Sequence, residues 1–394
     1  MSELLRVFVS TLIALVCTCW VHPYILKVAK VKNIVDNPDA RKLQRRPIPI
    51  LGGLTVVFGI FSGLMAFNMF GQYPDIFPVF AAIIIILVVG LIDDMISLSA
   101  RVRFVVEVIL VTYLIISTGW QLNNFHGLWG IEWIPNYLSI PLTLVACVGI
   151  INAVNLIDGV DGYSSGYSFV SCILFGVMFY RLGDIRMVAL AAIVAASLLP
   201  FFLHNVFGNS SKMFIGDAGS LSLGIIFSVF IMIIIATDWP IYRSVPANLG
   251  LVPFSLAVLC VPVFDTLRVM SARMLAGKSP FHPDKTHLHH LFIELGYSHL
   301  GTTLSIIGMN LFVVLSWYLA YKVGFSVDAQ LYVVVLLGLL VTFGFYRWIK
   351  RAIRKQSKLY HHLCLVARRT HFESKGFWSF VERWVDRISG EDIQ

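Results

Sequence analysis

The chain has 394 residues, 58% of them apolar and only 13% charged, with a mean hydropathy of +0.81 and a formal charge of +8. An average soluble domain carries roughly a quarter charged residues, so this composition excludes an ordinary water-soluble enzyme, a disordered chain and a disulfide scaffold. What remains is a protein that crosses a bilayer many times.

A transmembrane helix needs about 20 mostly apolar residues. Eleven segments meet that pattern: 4–27, 50–69, 77–92, 104–119, 139–154, 163–180, 187–204, 219–237, 249–269, 301–321 and 329–347. Gly, Pro and Ser interrupt several of them, which a membrane bundle tolerates where neighbours satisfy the backbone. The first has no small-residue cleavage site behind it and reads as a retained span. Eleven spans put the termini on opposite sides. Then 25 of the 30 Lys and Arg fall on one side, tail included, and leave Arg6, Arg181, Arg186, Arg243 and Lys322 on the other. Positive charge marks the cytoplasmic side. The expected fold is therefore an all-α polytopic membrane protein of about eleven transmembrane helices, N-terminus outside and C-terminus cytoplasmic. It divides into an integral-membrane catalytic domain, 1–350, and a basic cytoplasmic tail, 351–394.

The loop 120–138 holds Trp120, Trp129, Trp133 and Tyr137 but no Lys or Arg. It reads as an outer aromatic belt, with a short capping hairpin as the alternative. In the tail, Phe377, Phe380, Val381, Trp384, Val385 and Ile388 recur near helical spacing. They predict an amphipathic helix lying on the inner membrane surface or on the domain. The six cysteines lack metal spacing apart from the apolar pair Cys17 and Cys19, and read as small packing residues.

The acids are unevenly placed. Asp93 and Asp94 close the third span, Asp158 and Asp161 follow the fifth, and Asp217 precedes the eighth; His287, His289 and His290 follow the ninth. All face the cytoplasm in this topology, whereas chance scatter would divide them. Ionisable groups near membrane spans are costly and default to function. Each also has a plainer reading. Asp93–Asp94 can be a solvated helix end. NLIDGVDG (155–162) can be a tight turn, and Asp217 in FIGDAGS (214–220) an N-cap. HPDKTHLHH (282–290) lacks the i, i+4 histidine pair of helical zinc motifs and suits polyanionic phosphate better. Together the pieces specify more. The acids can hold Mg²⁺ with substrate phosphates, and Arg46, Arg103, Arg273, Lys285 and the histidines can hold a diphosphate. Phosphoryl transfer needs mainly this positioning and charge neutralisation. No GxxxxGK[ST] loop is present. The rivals are a transporter, whose acids usually sit near mid-membrane, and a non-catalytic scaffold.

Five motifs occur in order: DNPDARKLQRRPIPILGG (36–53), GLIDD (90–94), NAVNLIDGVDG (152–162), FIGDAGSLSLG (214–224) and SPFHPDKTHLHH (279–290). They resemble the polyprenyl-phosphate N-acetylhexosamine-1-phosphate transferase superfamily over nearly all of 1–350, in its bacterial WecA/TagO-like branch rather than its peptidoglycan branch. The resemblance implies a Mg²⁺-dependent sugar-1-phosphate transferase, with Mn²⁺ as a substitute. Such an enzyme moves HexNAc-1-phosphate, GlcNAc first, from UDP-HexNAc to undecaprenyl phosphate and releases UMP, the first lipid-linked step of a cell-surface glycan. GalNAc, a modified hexosamine or MurNAc-pentapeptide stay open as donors. The implied place is the bacterial inner membrane, with the active site facing the cytoplasm. The implied partners are the two substrates and the lipid bilayer, with homodimers common among relatives and no nucleic acid. By motif position, Asn155 and Asp217 resemble the metal-holding pair. Asp93 and Asp94 lie near the lipid phosphate, one of them as a base. Asp158 and Asp161 match an acidic nucleotide-side loop, with Asp161 near the uracil, and Phe214 matches an aromatic that stacks on it. Arg103, Arg273, His287, His289 and His290 match phosphate or sugar contacts, with His287 counted among the catalytic groups; Arg46 is a looser match. Direct attack and a two-step route through a phospho-enzyme both fit. The lipid needs a greasy groove leading to the acids, and Gly59, Ser62, Gly63 and Gly149 either open one or serve close helix packing.

Overall fold

The computed structural model describes residues 2–38, 44, 46–69, 73–236, 246, 248–280, 285–371 and 376–388. Arg41, Lys42, Arg45 and Arg243, residues 282–284 of the histidine motif and the last residues of the tail lie outside these. With no water inside a bilayer, the backbone must satisfy itself, and a helix does so locally. The helices, in chain order, are α1 (Glu3–Val31), α2 (Gly52–Phe67), α3 (Ile76–Ile96), α4 (Ala100–Thr118), α5 (Asn136–Leu156), α6 (Tyr163–Leu182), α7 (Ile185–Phe207) and α8 (Gly216–Ile234). There follow α9 (Leu251–Val258), α10 (Cys260–Leu275), α11 (Leu288–Glu294), α12 (His299–Val323), α13 (Val327–Leu339), α14 (Phe345–Lys355), α15 (Lys358–Arg368) and α16 (Phe377–Ile388). Two short antiparallel pairs join β1 (Val35–Asp36) to β2 (Ile48–Pro49), and β3 (Asn124–Leu128) to β4 (Ile131–Trp133).

Each of the eleven expected spans lies on a helix, the ninth on the pair α9–α10 and the last on α13, a π-helical turn (Leu340–Gly344) and α14. Among the described residues, eight helices are long and apolar enough to cross a membrane, or nine if the α9–α10 pair, bent by 70°, is one span. The other two expected spans are α2, with 16 residues, and α4, which carries Arg101, Arg103 and Glu107.

The bundle is built around α8. Every residue from Ala218 to Ile234 is buried, as befits a helix that is apolar all round. Small residues bring its neighbours close. A side chain at Gly90 of α3 would run into Ala218, one at Gly53 of α2 into Gly219, and one at Gly224 into Ile151 of α5. Gly59 and Gly63 are likewise pressed against Thr18 and Ala14 of α1, so these two serve packing.

The loop 120–138 contains a hairpin, which leaves Trp129, Trp133 and Tyr137 exposed. Trp120 is buried, while Trp129 is exposed at the tip and tied to α13: its backbone N–H donates to Asp328 (2.6 Å) and its indole N–H to Tyr332 (3.1 Å). This end of the bundle also holds the Asp75–Arg186–Asp184 ion pairs. The cysteines are all unbonded thiols.

The break between α9 and α10 frees backbone groups inside the apolar core. Buried Asn310 of α12 satisfies both sides of it: its Oδ1 accepts from Val261 N–H (3.0 Å) and its Nδ2 donates to Val258 C=O (3.0 Å). Tyr167 Oη also donates to Val258 C=O (2.5 Å). Replacing Asn310 by Leu strands the Val261 N–H in an apolar site and should lower stability by ~1–3 kcal/mol. Thermal unfolding in detergent checks this; an unchanged midpoint would show that the break does not depend on Asn310.

Candidate active site

At the bundle end opposite the β3–β4 hairpin, the loops and helix ends named from the sequence converge on a cleft of about 990 Å³. Arg46, Asp93, Asp94, Asp158, Asp161, Phe214, Asp217 and His290 all line it. Main-chain pairing assembles part of the wall. Phe214 N–H donates to Pro49 C=O (2.8 Å), while Gly52 and Gly53 N–H donate to Phe214 and Ile215 C=O (each 2.9 Å). The basic motif 46–53 is thereby stitched to FIGDAGS.

The N-terminus of α8 sets the acids. Asp94, at the end of α3, accepts from the backbone N–H groups of Asp217 (2.8 Å) and Ala218 (3.1 Å). Helix N-termini leave such donors unpaired, and a carboxylate satisfies them and the helix dipole together. Gly216 makes the approach possible: its φ is +67°, and a side chain there would strike the Asp94 carboxylate. Asp217 Oδ1 accepts from Asn155 Nδ2 (2.5 Å), which also donates to Ser220 Oγ (2.9 Å). Arg103 of α4 lies 2.9 Å from Asp93 and 3.9 Å from Asp217, so it ties α3, α4 and α8 together. Asp93 also accepts from Leu98 N–H (2.6 Å). The adjacent acids are thus not equivalent: Asp93 is ion-paired and Asp94 is a helix cap.

The turn between α5 and α6 carries the other acids. Asp161 sits between Lys212 Nζ and His299 Nδ1, each 2.6 Å from its Oδ2. Burial alone would raise its carboxyl, but the His299 hydrogen bond and the Lys212 charge outweigh that and hold it below the usual range. Asp158 makes no side-chain hydrogen bond to the described residues. Enclosure by the cleft walls, then the charges of Asp217, Asp94 and Asp161, push its carboxyl well above the usual range. Water still reaches it from the cleft, which tempers the desolvation and leaves the like charges as the firmer cause.

Three expected contacts stand behind this wall. His287 is buried, with Nδ1 3.0 Å from Asp265 and no partner for Nε2 among the described residues. His289 packs beneath Gly159 and edge-on to Tyr163; burial, then the neighbouring His290 and His287, keep its imidazole neutral. Arg273 is buried and donates to Pro280 C=O (2.7 Å). Sequence reasoning missed Asp265, which also pairs with Arg268 (2.6 Å) and accepts from Leu288 N–H (3.1 Å), fixing the histidine turn. It missed His299 as well, and Asn205, which accepts from Gly162 N–H (2.6 Å) and donates to Met213 C=O (2.8 Å), knotting two cleft loops. A polar residue inside an apolar run was the available signal for Asp265 and Asn205.

Six aspartates against three Lys and Arg line the cleft. An anionic phosphate substrate therefore fits only with added positive charge. Hard oxygen donors favour Mg²⁺, which typically takes one or two carboxylates and completes its shell with phosphate and water. Among the described residues, no three His, Cys, Asp or Glu side chains form a metal site by themselves, so a cation here would rest on Asp217 with Asp158 or Asp94 plus ligands brought by the substrate. Asn155 as placed offers Asp217 its amide nitrogen; as a ligand it would have to turn its oxygen inward.

A second, apolar groove of about 570 Å³ runs between α4, α5, α8, α9 and α10. Gly149 lies on it with open space before it, unlike Gly59 and Gly63. Asn152, also on the groove, donates to buried Glu107 (2.5 Å). It stands three residues, a rise of about 4.5 Å along α5, from Asn155, the partner of Asp217.

Fold and site together define a polytopic, all-helical membrane protein with a carboxylate-lined cleft at one end of its bundle. Residues 76–235 match glycosyl transferase family 4. The chain is 32% identical to the Bacillus subtilis (strain 168) protein named probable undecaprenyl-phosphate N-acetylglucosaminyl 1-phosphate transferase, over 77% of this chain and 82% of that one. It is 29% identical to the Yersinia pestis undecaprenyl-phosphate alpha-N-acetylglucosaminyl 1-phosphate transferase, over 69% and 73%, and 27% identical to the Salmonella typhi protein of that name, over 89% and 91%. The chain belongs to glycosyl transferase family 4.

The raised Asp158 carboxyl has a stability consequence. Its ionised form is disfavoured in the folded protein, so stability is lost as pH rises from the unfolded value, ~3.9, toward the higher folded one. Asp158→Asn should therefore raise the unfolding midpoint of metal-free protein at pH 8, with a smaller gain at pH 5. An equal gain at both would remove the electrostatic explanation.

Proposed function

We propose that this protein transfers GlcNAc-1-phosphate from UDP-GlcNAc to undecaprenyl phosphate, giving undecaprenyl-diphospho-GlcNAc and UMP, as the names of its relatives describe for them. The observation that carries this reading is an apolar groove beside a carboxylate-lined cleft: Asn152 lines the groove, and three residues further along α5 Asn155 holds Asp217, which lines the cleft. A polyprenyl chain suits the groove, and a diphosphate with Mg²⁺ suits the cleft. We read the chain as eleven spans in the bacterial inner membrane. The cleft end carries Lys30, Arg46, Arg103 and Lys212, while α1 begins beside Tyr73 at the other end. By the positive-inside rule the cleft then faces the cytoplasm and the N-terminus lies outside.

In this mechanism a lipid phosphate oxygen attacks the sugar-bearing β-phosphorus. The bond from that phosphorus to the bridging oxygen breaks, and UMP leaves with the oxygen. Asp217 with Asp158 or Asp94 would hold Mg²⁺, which would supply charge neutralisation on the diphosphate. The protein's own groups do the positioning. Phe214 offers a face to the uracil, and the Lys212–Asp161–His299 cluster borders the nucleotide. Arg103 lies where developing phosphate charge needs a cation. The Nε2 of His287, which has no partner among the described residues, stands behind the cleft wall and not in it. Where Asp94 rather than Asp158 completes the cation's shell, Asp158 is the carboxylate left to take a residual proton, since Asp93 is ion-paired and the Asp158 carboxyl is pushed upward. The second phosphate pKa is about 6, so positioning matters more than proton removal.

Purified protein with undecaprenyl phosphate, Mg²⁺ and UDP-GlcNAc should release UMP, and Asp217→Asn should cut turnover by ~100-fold or more. UMP with a different UDP-sugar alone would change the donor. No UMP with any donor, from folded protein, would favour a transporter or scaffold. Gly149→Leu places a side chain in the groove and should raise KM for undecaprenyl phosphate about tenfold while sparing KM for the UDP-sugar; equal effects on both would place the lipid elsewhere.

A further inference from the structure

The C-terminal helix reaches back to the cleft. After α7 the chain turns through residues 208–213 to deliver Phe214 and Asp217, and Asn209, Ser210 and Lys212 of this turn line the cleft. The turn belongs to no regular element, so its shape depends on anchors. On the carbonyl side, α1 supplies two: His22 Nε2 lies 3.1 Å from Ser211 O, and Lys30 Nζ donates to Ser210 O (2.8 Å). On the amide side the anchor comes from 175 residues away. Asp386 accepts from the backbone N–H of Asn209 (3.1 Å), Ser210 (3.3 Å) and Ser211 (3.1 Å), and from Ser211 Oγ (2.7 Å). Successive N–H groups around one carboxylate form an anion nest with charge-assisted bonds.

α16 is seated for this contact. Trp378 stacks on Phe207 at the end of α7, with centroids 4.8 Å apart and planes 9° from parallel, and Val385 is buried. Trp378, Val385 and Asp386 are spaced to share one helix face. We propose that α16 is a strap that positions the donor side of the cleft. Asp386 fixes the 209–211 backbone, and that backbone holds Lys212 on Asp161 and sets the approach to Phe214. Asp386 touches no substrate and is a positioning residue. This inference rests on reading the cleft as a UDP-sugar site.

The test uses full-length protein with Asp386→Ala, Asp386→Asn and, as control, Arg383→Ala on the exposed side of α16. Asp386→Ala should raise KM for UDP-GlcNAc about tenfold, the scale of a lost charge-assisted contact. KM for undecaprenyl phosphate and kcat should stay near wild type. Asp386→Asn keeps an acceptor oxygen and should recover most of the loss, and the control should be silent. Amide hydrogen exchange of residues 209–212 should quicken in Asp386→Ala. An unchanged donor KM, or a fall in kcat with both KM values intact, would overturn the strap. Should wild type release no UMP with any donor, the functional reading fails and hydrogen exchange alone decides: faster exchange at 209–211 supports the strap, and unchanged exchange removes it.

Discussion

The capping of α8 by Asp94 is the contact on which the site depends. A helix buried from Ala218 to Ile234 starts within protein rather than in open water, and its first N–H groups need acceptors there. Asp94 supplies two bonds, at 2.8 and 3.1 Å. The bonds form because Gly90 lets α3 close on α8 and Gly216 adopts a positive φ that a side chain would resist. The same approach sets Asp217 beside Asn155 and within 3.9 Å of Arg103. Helix capping and the assembly of the carboxylate cleft therefore use the same atoms.

The arrangement leaves unfavourable electrostatics in place. Like carboxylates share a confined cleft, and the Asp158 carboxylate has no hydrogen-bond partner among the described residues. Such tension concentrates where chemistry is done. The break at Leu259 follows the same logic. The span is cut, Asn310 and Tyr167 repair its backbone, and α10 is redirected so that Asp265 reaches the histidine turn.

The apolar runs showed the helices in the sequence because burial in lipid demands a local property, about 20 consecutive apolar residues. The acids at span ends stood out for the converse reason. Asp265 did not stand out: it lies within the ninth expected span, in FDTL, and its partner His287 is 22 residues on. Asp386 and His299 were equally silent, since a tail acid and a loop histidine look like surface groups until their partners are known. The glycines divided in a way no pattern announces. Gly59 and Gly63 pack against α1 while Gly149 faces open groove.

Hydropathy and charge placement determined by themselves that the chain is a many-helix membrane protein, where its helices run, and that acids and bases gather toward one end. They determined this because each depends on composition along a short stretch of chain. The tertiary structure alone decided which acid is paired, which is capped and which is open. It also decided that the tail closes on the cleft. Hydrogen bonds form only over about 3 Å and at restricted angles, and ion pairs weaken with distance, so these outcomes turn on the spacing of helices far apart in sequence.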